Sequence, residues 1–164
     1  MTPFKNYNDI TTQYLKVKTS LFSGSYANEK EWDSLKDSLL YLRNLKSNTD
    51  LVSNFLSTSF ISGIKNSTLN LGRGKGHSIG VSKFLLKFPN LRVLVVTHSA
   101  TEFIDSPLQN VLFIRPSSVM FAGSFRNYNP DLVILDGVSA QDSHKLGMNL
   151  RSLPPTVPIY QVGV

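Results

Sequence analysis

The stretch Gly72-Arg73-Gly74-Lys75-Gly76-His77-Ser78 brings together three glycines, two permanent cations, a histidine and a hydroxyl. Glycines lack a Cβ, so successive backbone N–H groups can turn inward and form a concavity that takes an anion. Arg73 and Lys75 add positive charge, and a helix starting near Ser78 adds the positive end of its dipole. Phosphate is the anion this arrangement suits. Asp136 closes the apolar run Leu132-Val133-Ile134-Leu135 and offers an acid that can hold a hard cation such as Mg²⁺ through water. A buried strand ending in Asp, behind a glycine loop, is what Mg²⁺-assisted nucleotide chemistry requires. His77 is the odd member. A lysine normally stands between the last glycine and the Ser or Thr. An unperturbed histidine near pH 7 is mostly neutral and donates one hydrogen bond to a phosphate oxygen, without a fixed charge.

Such a loop has to lie between a strand and a helix. Beyond residue 67 short apolar runs occur at 68–71, 93–97, 111–114, 132–135 and 157–162. Most are rich in Val and Ile and several lack alternation, which fits strands buried on both faces of a parallel sheet. Residues 78–88 read as a helix, with Val81, Phe84, Leu85 and Phe88 on one face and Lys83 and Lys87 on the other. Strand, helix, strand in this order implies a right-handed crossover. The first 66 residues read as helices: a short one over 7–18, one over 28–45 and one over 48–65. Trp32, Leu35, Leu39 and Leu42 form the stripe of the second, with Asn28 as N-cap and Glu31 three residues on. Leu51, Val52, Phe55, Leu56 and Phe60 form the buried side of the third. The expected architecture is one three-layer α/β domain with a mostly parallel core at 67–164, and a helical segment at 1–66 packed on it.

A chain of 164 residues with 41% hydrophobic content suits one core. No apolar run nears 18 residues, so no membrane partner is expected. The N-terminus has no continuous apolar region of a secretory signal. Cysteine is absent, which removes disulfides and fits a cytoplasmic setting. The formal charge is +6, and residues 51–101 hold no Asp or Glu while carrying Lys65, Arg73, Lys75, Lys83, Lys87 and Arg92. Such a run suits a polyanion, either nucleotide or nucleic acid, or else a solvated basic face.

GRGKGHSIGVSKFLL resembles the Walker A segment of phage large terminase ATPases, which run G-R-G-x-(G/A)-K-S into an apolar helix. RVLVVTHSATEF resembles the motif Ia strand and loop of terminases and helicases, and DLVILDG their Walker B. The resemblance implies a P-loop NTPase, RecA-like fold over 67–164, and a viral protein acting in the host cytoplasm. It implies ATP and Mg²⁺ as ligands: Gly72, Gly74, Lys75, Gly76, His77 and Ser78 around the phosphates, with Ser78 and Asp136 on the metal. Arg73 matches a loop arginine directed at the γ-phosphate, and Gln161 in VPIYQVG falls near a sensor position. In helicase-like relatives the loop holding His98 and Ser99 touches the nucleic acid backbone. The sequence departs from the pattern at two catalytic places. His77 replaces the lysine, and Gly137 stands where Walker B continues with a water-orienting Glu. The expectation is therefore binding with weak or no hydrolysis.

Other constellations are thinner. The dinucleotide pattern G-x-G-x-x-G fails in both frames, meeting His77 in one and Ile79 in the other. His77, His98 and His144 show no metal-ligand spacing. No G-x-S-x-G elbow supports a hydrolase. Arg126 and Tyr128 in FRNYNPD, with Lys83 and Lys87, are the candidates for gripping nucleic acid. A second class stays open: an interaction protein that keeps the scaffold and binds a protein partner, nucleic acid or its own copy.

Overall fold

The computed structural model describes residues 7–24, 26–72, 75–98, 110–119, 128–151 and 153–163. Two helices come first, α1 (Tyr7–Phe22) and α2 (Glu29–Ile61). Asn28 caps α2: its Oδ1 accepts from Glu31 N at 2.9 Å, and Glu31 Oε2 accepts from Ala27 N at 2.8 Å. The expected boundary between residues 45 and 48 is absent, because α2 runs unbroken for 33 residues. No Gly or Pro interrupts Lys46-Ser47-Asn48. Thr49 turns its hydroxyl back to Leu45 O at 2.8 Å, a bond within the helix rather than a cap for a new one.

The buried side of α2 also differs from its apolar stripe. Leu51, expected inside, is half exposed, whereas Thr49 and Ser53 are fully buried beside Val52 and Leu56. The cause is the close approach of α3 (His77–Lys87). A Cβ on Gly80 would lie 2.5 Å from Val52 Cβ, and one on Gly76 would lie 2.9 Å from Thr49 Oγ1 and Leu45 Cδ1. Backbones this close need small or slender residues on both sides of the seam. Lys83 and Asp50 form an ion pair across it.

Five parallel strands form one sheet in the order β1-β5-β4-β2-β3: β1 (Asn66–Leu69), β2 (Val93–Thr97), β3 (Val111–Ile114), β4 (Leu132–Asp136) and β5 (Ile159–Val162). β1 begins two residues earlier than its apolar run suggests, and β5 two residues later. On one face Val93, Val95, Leu132, Ile134, Tyr160 and Val162 pack against Val52 and Leu56 of α2 and Val81, Phe84 and Leu85 of α3. On the other face Leu94, Val96, Val133 and Leu135 meet Leu146 and Leu150 of α5 (Ala140–Leu150). A single-turn helix, α4 (Pro116–Val119), follows β3. Helices thus cover both faces, and β2 and β4 are buried along their whole length. Among the described residues no helix is long and apolar enough to cross a membrane.

Candidate phosphate and cation site

All five strands run the same way, so their carboxyl ends share one edge, and the first turn of α3 opens onto it. Gly76, in the left-handed region at φ 82°, is the N-cap of α3. A side chain there meets both an unfavourable backbone conformation and the α2 seam. The backbone N–H groups of the first turn have no intrahelical acceptors and project toward the loop. Gly72, at φ 90°, begins the turn. Arg73 and Gly74 lie outside the described residues. Lys75 is exposed beside the turn.

Ser78 and Asp136, 58 residues apart, are joined. Ser78 Oγ donates to Asp136 Oδ2 at 2.7 Å. Thr97 Oγ1 lies 3.4 Å from the same oxygen, as a long hydrogen bond from the neighbouring strand, where Thr97 and Asp136 are register partners. Among the described residues Oδ1 has no partner. Asp136 is only 4% exposed, and burial pushes its carboxyl from 3.8 up to about 6, against the opposing pull of the Ser78 and Thr97 hydroxyls. The site therefore holds a carboxylate with one oxygen fixed by two hydroxyls and its charge poorly solvated.

His77 turns inward from the loop. Its Nε2 accepts from Leu71 N at 3.1 Å instead of donating toward the loop centre. The ring is buried and lies over Gly163, where a Cβ would come within 3.3 Å of His77 Cγ. Burial pushes its pKa down, which agrees with a neutral acceptor. The Gly72 N–H is also bonded internally, to Asn70 Oδ1 at 2.9 Å.

The remaining candidates are dispersed. Gln161 lies on the face of the sheet opposite Asp136, and its Nε2 donates to Val138 O at 3.0 Å, tying down the segment after β4. Gly137, in the Glu position, has φ 67°, and its N–H extends the sheet to Val162 O at 2.9 Å. His98 is exposed at the carboxyl edge; Ser99 and Arg126 lie outside the described residues. Tyr128 sits at the opposite edge, its hydroxyl donating to Asn110 O at 2.6 Å, with Val93 O at 3.2 Å. Lys87 is exposed in the last turn of α3, also toward the amino edge, and Lys83 is occupied by Asp50. Arg92, before β2, pairs with Asp131 at 3.8 Å.

Four participants escaped the sequence reading: Thr97 as a second hydroxyl on Asp136, the Leu71 N–H, Gly163 under the ring, and the α2 residues under Gly76. Thr97 had a signal, since it is the one polar residue closing an otherwise apolar strand. The other three arise only from packing.

Comparison with protein-family models, with curated proteins and with solved structures returns no match.

Proposed function

We propose that this chain is a degenerate P-loop NTPase-like domain, similar to terminase and helicase ATPase domains, that binds a nucleotide's phosphates at the carboxyl edge and turns them over slowly or not at all. The observation that carries the reading is the 2.7 Å Ser78–Asp136 hydrogen bond at the mouth of the glycine turn. The topology supports it. The chain enters at β1, leaves two places for β5 and β4, lays down β2 and β3, then returns to fill the gap. Open parallel sheets bind ligands at the carboxyl edge beside such a reversal.

The donors fit Mg²⁺. A hydroxyl and a carboxylate are hard oxygen ligands, and among the described residues Oδ1 of Asp136 has no partner, on a group whose charge needs compensation. When bound, Mg²⁺ supplies charge neutralisation for the phosphate oxygens. The chain's own residues orient and hold: Ser78 fixes Asp136, Thr97 braces it, and the α3 N-terminus faces the anion. Neither of the groups that drive hydrolysis is present in its usual form, because His77 is neutral and Gly137 cannot orient water. Loss of such preorganised charge commonly costs about 3–4 kcal/mol of barrier lowering per group.

The test is binding of a fluorescent ATP analogue with Mg²⁺, together with phosphate release. The wild type is expected to bind and to turn over far below about 1 per second, an ordinary enzyme's lower range. Ser78→Ala should weaken binding at least tenfold in Mg²⁺ and little in EDTA. Equal affinities in Mg²⁺ would remove the reading.

A second reading has its own support. Gly76 and Gly80 are already required by the α2 seam, and the Leu71 and Gly72 N–H groups are satisfied without a ligand. On that reading the protein is a non-enzymatic interaction module for a protein or nucleic acid partner, and no nucleotide affinity is expected.

A further inference from the structure

We infer that His77 is an internal competitor for the anion site: its imidazole Nε2 occupies the acceptor position that a phosphate oxygen would take on the Leu71 N–H. This rests on the proposed phosphate site and assigns the residue in the lysine position a gating role. Three observations meet there. Nε2 accepts from Leu71 N at 3.1 Å. The ring is buried at the junction of β1, β5 and α3, packed closely on Gly163, where a Cβ would come within 3.3 Å of His77 Cγ. Ser78, the next residue, is turned to Asp136, so the first turn of α3 sets the histidine directly beside the candidate cation ligands.

A backbone N–H donates to one good acceptor at a time. A ligand must therefore displace the ring, and only an acceptor stronger than a neutral imidazole nitrogen does so at low concentration. Charged phosphate oxygens are such acceptors, since ionised partners make hydrogen bonds roughly twice as strong as neutral ones. The gate accordingly favours ligands with adjacent, highly charged phosphates over weakly charged anions. Removing the ring then strengthens binding, whereas removing a true phosphate ligand weakens it.

The experiment follows the Leu71 amide and the His77 ring by NMR, with pyrophosphate as probe. In the free wild type the Leu71 amide is expected to be protected from exchange. In His77→Ala it should exchange at least tenfold faster, and pyrophosphate should bind at least tenfold tighter than to the wild type. His77→Leu keeps bulk without an acceptor; it should free the amide and gain little affinity. Titrating the wild type needs no variant: Leu71 and His77 signals should move together at one midpoint. Equal Leu71 exchange in all three proteins overturns the gate and leaves the phosphate site standing. Weaker binding by His77→Ala makes the histidine a ligand and also overturns the gate. No pyrophosphate binding by any of them removes the site and the gate with it.

Discussion

Asp136 is the residue whose chemistry is most exposed to test. Its folded value of about 6 lies above its ordinary 3.8, so the folded state holds the proton more tightly than the unfolded chain. Its contribution to stability is therefore greatest below about pH 4 and is lost as pH rises through about 6. A rise of that size corresponds to up to about 3 kcal/mol. Asp136→Asn keeps an acceptor for Ser78 and removes the buried charge. It should melt higher than the wild type at pH 8, by an amount that shrinks toward pH 4, and it should lose Mg²⁺-dependent nucleotide affinity. His77 acts with the opposite sign. Its lowered value means that protonation opposes folding as pH falls below its ordinary 6.5, but this is common to both proteins and cancels in the comparison. Melting curves of the pair at pH 4.5 and pH 8 decide it: a variant less stable at both would show that the carboxylate is structural.

At the scale of elements, the α2–α3 seam sets the position of the loop. Ala for Gly inside a helix gains up to about 1 kcal/mol in propensity. At Gly80 the new Cβ would stand 2.5 Å from Val52 Cβ and 3.0 Å from Thr49 O, and overpacking typically costs about 1–3 kcal/mol. The clash should win, so Gly80→Ala should lower the urea midpoint. Gly147 in α5 has open space around its missing Cβ, and Gly147→Ala should raise the midpoint, adding up to about 1 kcal/mol of stability. Stabilisation by both substitutions would mean that α2 does not bear on α3 as described. This seam also marks the limit of what the sequence revealed. The strands at 93–97 and 111–114, the Asn28 cap and the apolar face of α3 were legible because local periodicity and capping specify them. The union of two expected helices into α2 was not, because Asn48 and Thr49 have the chemistry of a cap and only contact with Gly76 and Gly80 assigns Thr49 to a helix interior. In the sequence Ser78 and Asp136 are linked only through the resemblance to Walker A and Walker B segments, which implies that both face one metal. The inward turn of His77 depends on Gly163, 86 positions along the chain, and no local pattern reports that.

For the whole molecule, the cations of the acid-free stretch at 51–101 that lie among the described residues do not form one basic surface. Lys65 precedes β1 and Arg92 precedes β2, while Lys87 ends α3; all three lie toward the amino edge. Lys75 is at the carboxyl edge, and Lys83 and Arg92 are paired with acids from outside the stretch. A duplex lying along one edge would meet few of these cations. Nucleic acid binding should accordingly be weak, with a log–log salt slope no steeper than about −2, as expected for about two phosphates contacted. Fluorescence anisotropy across a range of KCl measures it, and a slope near −4 would show that the charges converge on a bound polyanion after all.

On the proposed reading the carboxyl edge takes a nucleotide's phosphates through a Mg²⁺ held by Ser78 and Asp136. Isothermal titration of the full chain with ATP, in Mg²⁺ and again in EDTA, tests it most directly. A single site is expected, with an affinity that falls at least tenfold when the metal is removed and as much in Asp136→Asn with the metal present. No heat in either condition, or an affinity indifferent to both the metal and Asp136, would contradict it.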